Sequence, residues 1–123
     1  MNEDITKPDL VALAAKWQAI LWLRDWEVKP RYARRFELDD GKGAGITFSR
    51  AHRTASIRIL DPVDYDPAWT NYPEDPESSL IHELLHLHFA IFDEEFGSQM
   101  VKLEEIAINA IEKALVGLDR RRC

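Results

Sequence analysis

Apolar positions recur along this chain in two rhythms. Leu10, Leu13, Ala14, Trp17, Ile20 and Leu21 stand at helical intervals on roughly one face, and they predict a helix from Leu10 to Trp22 with Pro8 and Asp9 near its start. Further on, the interval shortens to two. The segment from Trp26 to Leu38 mixes aromatic and β-branched residues with Arg and Lys, and "DDGKGAG" then supplies a turn. "ITFSR" and "ASIRIL" follow, the latter alternating Ile57, Arg58, Ile59 as a half-buried strand does. These segments predict an antiparallel or mixed sheet of three or more strands. Antiparallel pairing is favoured because the connections leave no room for crossover helices.

Between Asp61 and Ser78 the periodicity stops. "DPVDYDPAWTNYPEDPES" carries four prolines and reads as a long loop, a feature that is often functional in a compact domain. Asp75 followed by Pro76 forms a helix entry, with a carboxylate as N-cap and proline at the first helical position. One helix is then predicted from Pro76 to about Phe92, and another from about Ser98 to Val116, closed by Gly117. Helix, sheet and two further helices define an α+β fold. A length of 123 residues supports one hydrophobic core and one domain spanning residues 1–123. Trp17 and Trp26 are expected in that core, and the terminal "LDRRRC" as a frayed, solvated end.

Composition narrows the classes. A hydrophobic share of 46% and a charged share of 31% are those of a soluble globular protein. The apolar runs are too short for a membrane helix and the N-terminus does not read as a signal peptide, so the expected location is cytoplasmic, without membrane contact. Cys123 is the only cysteine, which excludes an internal disulfide and a cysteine-rich zinc site. The net charge of −6 is unevenly spread: nine Lys or Arg against five acidic residues from Arg24 to Arg58, then ten acidic residues and no Lys or Arg from Asp61 to Glu95. Overall acidity disfavours nucleic acid as a partner, because that affinity comes from neutralising phosphates.

The chemistry concentrates in "SLIHELLHLHFAIF", residues Ser79 to Phe92. His82 and His86 are four residues apart, so one helical face directs two imidazoles at a single ion. Glu83 stands beside them and can reach a water on that ion without being a ligand, as a general base of zinc-dependent hydrolysis must. The same histidines could instead be satisfied core residues. Among so many apolar neighbours, however, two imidazoles and a carboxylate need partners, and a metal supplies them. His88, two residues from His86, falls on another face and is expected to support the site from behind or to pack.

Catalytic zinc requires a third protein ligand and an open fourth position. On the last predicted helix, Leu103, Ala107, Ala110, Ile111, Ala114, Leu115 and Leu118 form one broad apolar face, and Glu104 falls within it. A carboxylate inside a packing face needs a cation, so Glu104 is the expected third ligand. Glu105 is the alternative, because Asn109 four residues later could orient it through a hydrogen bond. Glu105 and Glu112 otherwise fall on the polar side with Asn109 and Lys113.

These residues resemble the gluzincin zinc metallopeptidases, in particular small single-domain members from bacteria and phages, among them antirepressor-type proteases and phage-associated metallopeptidases. The likeness rests on His82, Glu83 and His86, then Glu104 with Ala107, Ala110 and Ile111 behind it. "LRDWEV" looks like the end of that group's first helix and the start of its first strand, and "GAGITF" and "ASIRIL" look like its sheet. The resemblance implies a minimal zincin-like domain, one zinc ion per chain, and hydrolysis of a peptide or protein substrate held against a sheet edge. It also implies a Tyr or His that steadies the oxyanion, for which Tyr72 and His52 are the candidates. In the larger gluzincins a Glu-x-x-x-Asp pattern marks the ligand and its supporting residue, and Glu105 to Asn109 approximates that spacing where Glu104 to Ile108 does not. The rival reading is a metal-stabilised binding or regulatory domain that meets a regulatory protein partner, or DNA, through the cationic strands between Lys29 and Arg58. The sequence leaves the oligomeric state open.

Overall fold

The computed structural model describes residues 7–39, 42–68 and 75–121, and for residues 90–102 the backbone alone. Helix α1 spans Leu10–Ile20. Asp9 caps it, its carboxylate accepting from the N–H groups of Val11 and Ala12 at 3.0 and 3.2 Å. The face expected from the spacing is the one that packs: Leu10, Ala14 and Trp17 are buried. Trp17 also donates its indole N–H to Glu77 at 2.7 Å, which ties α1 to the later helix. The helix stops two residues short of Trp22, which takes the left-handed conformation at φ 62° and is exposed. Gln18 then bridges the exit, donating to the carbonyls of Leu23 and Trp26.

Strands β1 (Glu27–Ala33), β2 (Ala44–Ser49) and β3 (Thr54–Leu60) form a sheet of order β1-β3-β2. The expected antiparallel pairing holds only for β2 and β3. β1 runs parallel to β3, Glu27 opposite Thr54 through Ala33 opposite Leu60, so the sheet is mixed. No crossover helix is needed because the parallel pair is not consecutive in the chain. β1 ends and β2 begins at the same end of the sheet, opposite Leu60 and Ile59, so the connection only passes the end of β3. The 3-10 turn Arg35–Glu37 lies on that connection. A second 3-10 turn, Pro62–Asp64, opens the proline-rich segment, and Asp64 fixes it to the end of β1 by accepting from Arg34 Nε and Nη2 at 2.7 and 3.0 Å.

The final element, α2, is helical backbone from Pro76–Arg121. The expected entry is present: Asp75 accepts from the Ser78 N–H at 3.2 Å. A straight helix would separate His86 from Glu104 by about 27 Å, at 1.5 Å per residue. They are instead 2.8 Å apart, and Ser78 bonds Glu112. The two arms of α2 therefore run back against each other as an antiparallel pair. Gly117 does not end the second arm, which continues to Arg121. Within the stretch expected to fray, Arg120 is ion-paired with Asp75 and Glu77, while residues 122–123 lie outside the described residues.

The core lies between α1, the inner face of the sheet and the arms of α2. Trp17, Ile57, Ile59, Leu80, Ile81, Leu84 and Ile108 are essentially inaccessible. Burial of each large aliphatic side chain stabilises the fold by about 1.5–3 kcal/mol. One expectation is reversed. The second arm turns Glu104, Ile108 and Glu112 inward and leaves Leu103, Ala110, Ala114 and Leu118 exposed, because its inner face meets the histidines of the first arm. Among the described residues no helix is long and apolar enough to cross a membrane.

Candidate metal centre

Leu80, Ile81, Leu84, Leu85 and Leu87 pull the first arm of α2 onto the sheet and α1. That packing fixes the rotation of the helix, so His82 and His86 face the second arm, where Glu105 meets both. His82 Nε2 lies 3.2 Å from Glu105 Oε1, and His86 Nε2 lies 2.8 Å from Glu105 Oε2. One donor atom from each of the three residues falls within 4.8 Å of the others. Donors 2.0–2.1 Å from a tetrahedral zinc are about 3.3 Å apart, so the spacing fits such an ion.

The other ring nitrogens are held by carboxylates. His86 Nδ1 is 2.8 Å from Glu104 Oε2, and His82 Nδ1 is 3.4 Å from Glu112 Oε1. An Nδ1–H donated to a carboxylate keeps one proton on the outer nitrogen, so that loss of the Nε2 proton would bare a lone pair facing inward, the tautomer a metal-binding histidine needs. Glu112 is further fixed by the Ser78 hydroxyl. Glu104 is buried, as its place in the chain suggested, but its partner is the outer nitrogen of His86. The carboxylate facing both Nε2 atoms belongs to Glu105.

Electrostatics follow from this crowding. Burial opposes a charge on His82, yet hydrogen bonds to Glu105 and Glu112 and the field of Glu83 outweigh it and push the imidazole up to about 10. His86 is raised in the same way against the same opposition from burial, by Glu105, Glu83 and Glu104. Glu105, bonded to both rings, is held well below the usual carboxylate range. This donor set favours a cation. Glu83, only 7% exposed, is pushed up by burial, with the two histidines opposing.

The residues line an open cleft of about 430 Å³. His82, Glu83, His86 and Glu105 are among its lining residues. Asn109, Glu112 and Lys113 on the second arm form one wall, and Asp39 with Lys42 to Gly45 at the start of β2 forms another. The remaining candidates lie elsewhere. His88 does not support the metal site: its Nε2 bonds the Leu21 carbonyl at 2.7 Å and so caps the C-terminus of α1. His52 sits in the β2–β3 turn against Ser49, at the end of β2 remote from the cavity. Tyr72 lies outside the described residues. Asn109 lines the same cavity as Glu105.

Glu112, Lys42 and Lys113 are site residues that sequence reasoning missed. For Glu112 a signal existed, since Glu105, Asn109 and Glu112 follow at intervals of four and three and share one helical face. Lys42 had none, because a lysine in a glycine-rich turn reads as solvated. Comparison of the chain with models of protein families, with characterised proteins and with solved structures returned no match.

Proposed function

We propose that this protein is a zinc-dependent peptidase of zincin-like architecture, with His82, His86 and Glu105 as ligands and Glu83 as general base. The observation that carries the reading is the convergence of His82, His86 and Glu105 in a cavity that also contains the carboxylate of Glu83. Three protein ligands leave a fourth position open, as catalytic zinc sites do and closed structural sites do not.

Bound zinc supplies Lewis acidity, lowering the pKa of water toward about 7 and polarising a carbonyl. Glu83 accepts the proton of the attacking water at a carboxylate oxygen and delivers it to the departing amine. A carboxyl that burial lifts toward neutrality suits both transfers. Glu104 and Glu112 hold the two imidazoles in the required tautomer.

The start of β2 offers a place for an extended substrate. Leu60 donates its N–H to the Gly43 carbonyl, so alternation along the antiparallel pair turns the backbone groups of Ala44, Ile46 and Phe48 away from β3. Among the described residues no strand pairs with that edge. A peptide added there would lie beside Glu83, bound mainly through its backbone.

The test is incubation of zinc-loaded wild type and Glu83→Gln with a diverse peptide library, read by mass spectrometry. The expected outcome is cleavage by the wild type alone, abolished by chelator, with zinc content and fold unchanged in the variant. Identical profiles from both proteins would remove the peptidase reading. They would favour a metal-stabilised binding domain, whose surface would be the outer face of the sheet, where Lys29, Arg31 and Arg58 project.

A further inference from the structure

Arg58 stands in the middle strand of the sheet, opposite Arg31 of β1 on one side and Gly45 of β2 on the other. Arg31 has an ion-pair partner, Glu37, at 3.2 Å. Among the described residues Arg58 has no carboxylate partner, and its one hydrogen bond runs from Nη1 to the Thr47 hydroxyl at 3.3 Å. Its Nε is buried without a partner. A guanidinium is always charged and offers five donors, so most of its capacity here is unused.

Gly45 decides where that charge goes. A Cβ at this position would lie 2.7 Å from Arg58 Nη2 and 3.5 Å from Cζ, so the guanidinium fills the space a side chain would take. The like charge of Arg31 disfavours the opposite direction. Ala44, Ile46 and Phe48 pack inward against the core, which puts Gly45, Thr47 and the guanidinium on the outer face. A charge rooted in β3 is thereby carried across β2, the strand whose far edge is open.

Strand geometry then fixes what the charge meets. A peptide paired with the backbone groups of Ala44 and Ile46 lies about 4.8 Å from β2. Its residue opposite Gly45 turns its side chain to the outer face, with Cβ about 4.5–5.5 Å from the position that the guanidinium occupies. Aspartate or glutamate there makes a charge-assisted hydrogen bond, whereas lysine or arginine meets a like charge. The alternation is the same for either direction of the peptide. Asp39 and Lys42, the charged residues on the β2 wall of the cleft, balance one another, so Arg58 sets the sign of this edge.

We infer that Arg58, lying over Gly45, makes this protein select peptides with aspartate or glutamate at the position paired with Gly45 on the β2 edge. The inference rests on the placement of substrate along β2 in the peptidase reading. Gly45 lines the cleft together with Glu83. The acidic residue therefore falls within about three residues of the cleaved bond, roughly 10 Å of extended chain.

Cuts made in a diverse peptide library by zinc-loaded wild type should show Asp or Glu enriched about 3–10-fold at one fixed position, the range of a partly exposed charge-assisted contact. Arg58→Gln should lose the enrichment, and Arg58→Glu should replace it by Lys or Arg, both with an unchanged circular dichroism spectrum. Gly45→Ala, whose Cβ displaces the guanidinium without removing it, should weaken the preference. Cuts without acidic enrichment, or enrichment kept in Arg58→Gln, would overturn the inference and leave the peptidase reading standing. Binding gives a readout that needs no cleavage: fluorescence anisotropy of zinc-loaded Glu83→Gln with threonine-rich heptapeptides whose central residue is Glu, Gln or Lys. The Glu peptide should bind about 3–10-fold more tightly than the Gln peptide and the Lys peptide least, an order that vanishes when Arg58→Gln is added. That order without any cleavage by wild type would support the inference and remove the peptidase reading, whereas equal binding of the three peptides would overturn the inference.

Discussion

Glu104 and Glu105, neighbours in sequence, take opposite nitrogens of one ring: Glu104 Oε2 lies 2.8 Å from His86 Nδ1, and Glu105 Oε2 lies 2.8 Å from His86 Nε2. The 100° between consecutive helical residues lets one carboxylate reach around the imidazole while the other meets its front. Their substitutions should therefore differ in kind. Glu105→Ala removes the proposed third ligand and should abolish tight zinc binding. Glu104→Ala should weaken it by about 10–100-fold, the usual effect of losing a ligand's supporting carboxylate. Competition titration against a chelator separates them, and a larger loss for Glu104→Ala would return the ligand role to that residue.

Metal binding should release protons at neutral pH. The carboxylates around His82 keep its ring protonated up to about pH 10, and His86 is raised too. An ion that takes both Nε2 atoms must displace those protons. Apparent zinc affinity should consequently rise with pH from 6 through 9, beyond the range of an ordinary histidine near 6.5. Calorimetry at pH 7.5 in buffers of different ionisation enthalpy should give different heats from which about two protons are counted. Equal heats in all buffers would show that the rings are already neutral.

Much of this site was legible in the sequence, and the part that was not has a specific cause. His82, Glu83 and His86 lie within five residues of one helix, so local geometry alone fixes their relation. The cap at Asp75 and the core roles of Trp17 and Trp26 were equally local. Which carboxylate meets the two Nε2 atoms depends on the face that the second arm turns toward the first. The usual rule, apolar side inward, fails here because the inner face is occupied by histidines that attract Glu104, Glu105 and Glu112. The parallel β1–β3 pair was hidden for a related reason, since it joins strands that are not consecutive. His88 was legible as standing on another face than His82 and His86, but not its partner, a helix-terminal carbonyl 67 residues away in the chain.

Trp17 should be a principal stabiliser. It is 1% exposed and donates its indole N–H to Glu77, which also receives Lys16 at 3.3 Å. Trp17→Phe keeps an aromatic ring but loses the hydrogen bond and part of the volume. It should lower stability by about 1–3 kcal/mol, read as a lower urea midpoint at unchanged slope. Trp17→Ala should cost about 3–5 kcal/mol. A change below about 0.5 kcal/mol in the phenylalanine variant, the range of ordinary surface substitutions, would mean that the bond to Glu77 contributes little.

The most direct test of the ligand set is a crystal structure of zinc-supplied protein with anomalous diffraction recorded on both sides of the zinc absorption edge. The expected result is one ion per chain bound by His82 Nε2, His86 Nε2 and a Glu105 carboxylate oxygen. The remaining position would hold water within hydrogen-bond reach of Glu83. An ion bound through Glu104, a fourth protein ligand closing the site, or no anomalous peak between His82 and His86 would contradict it.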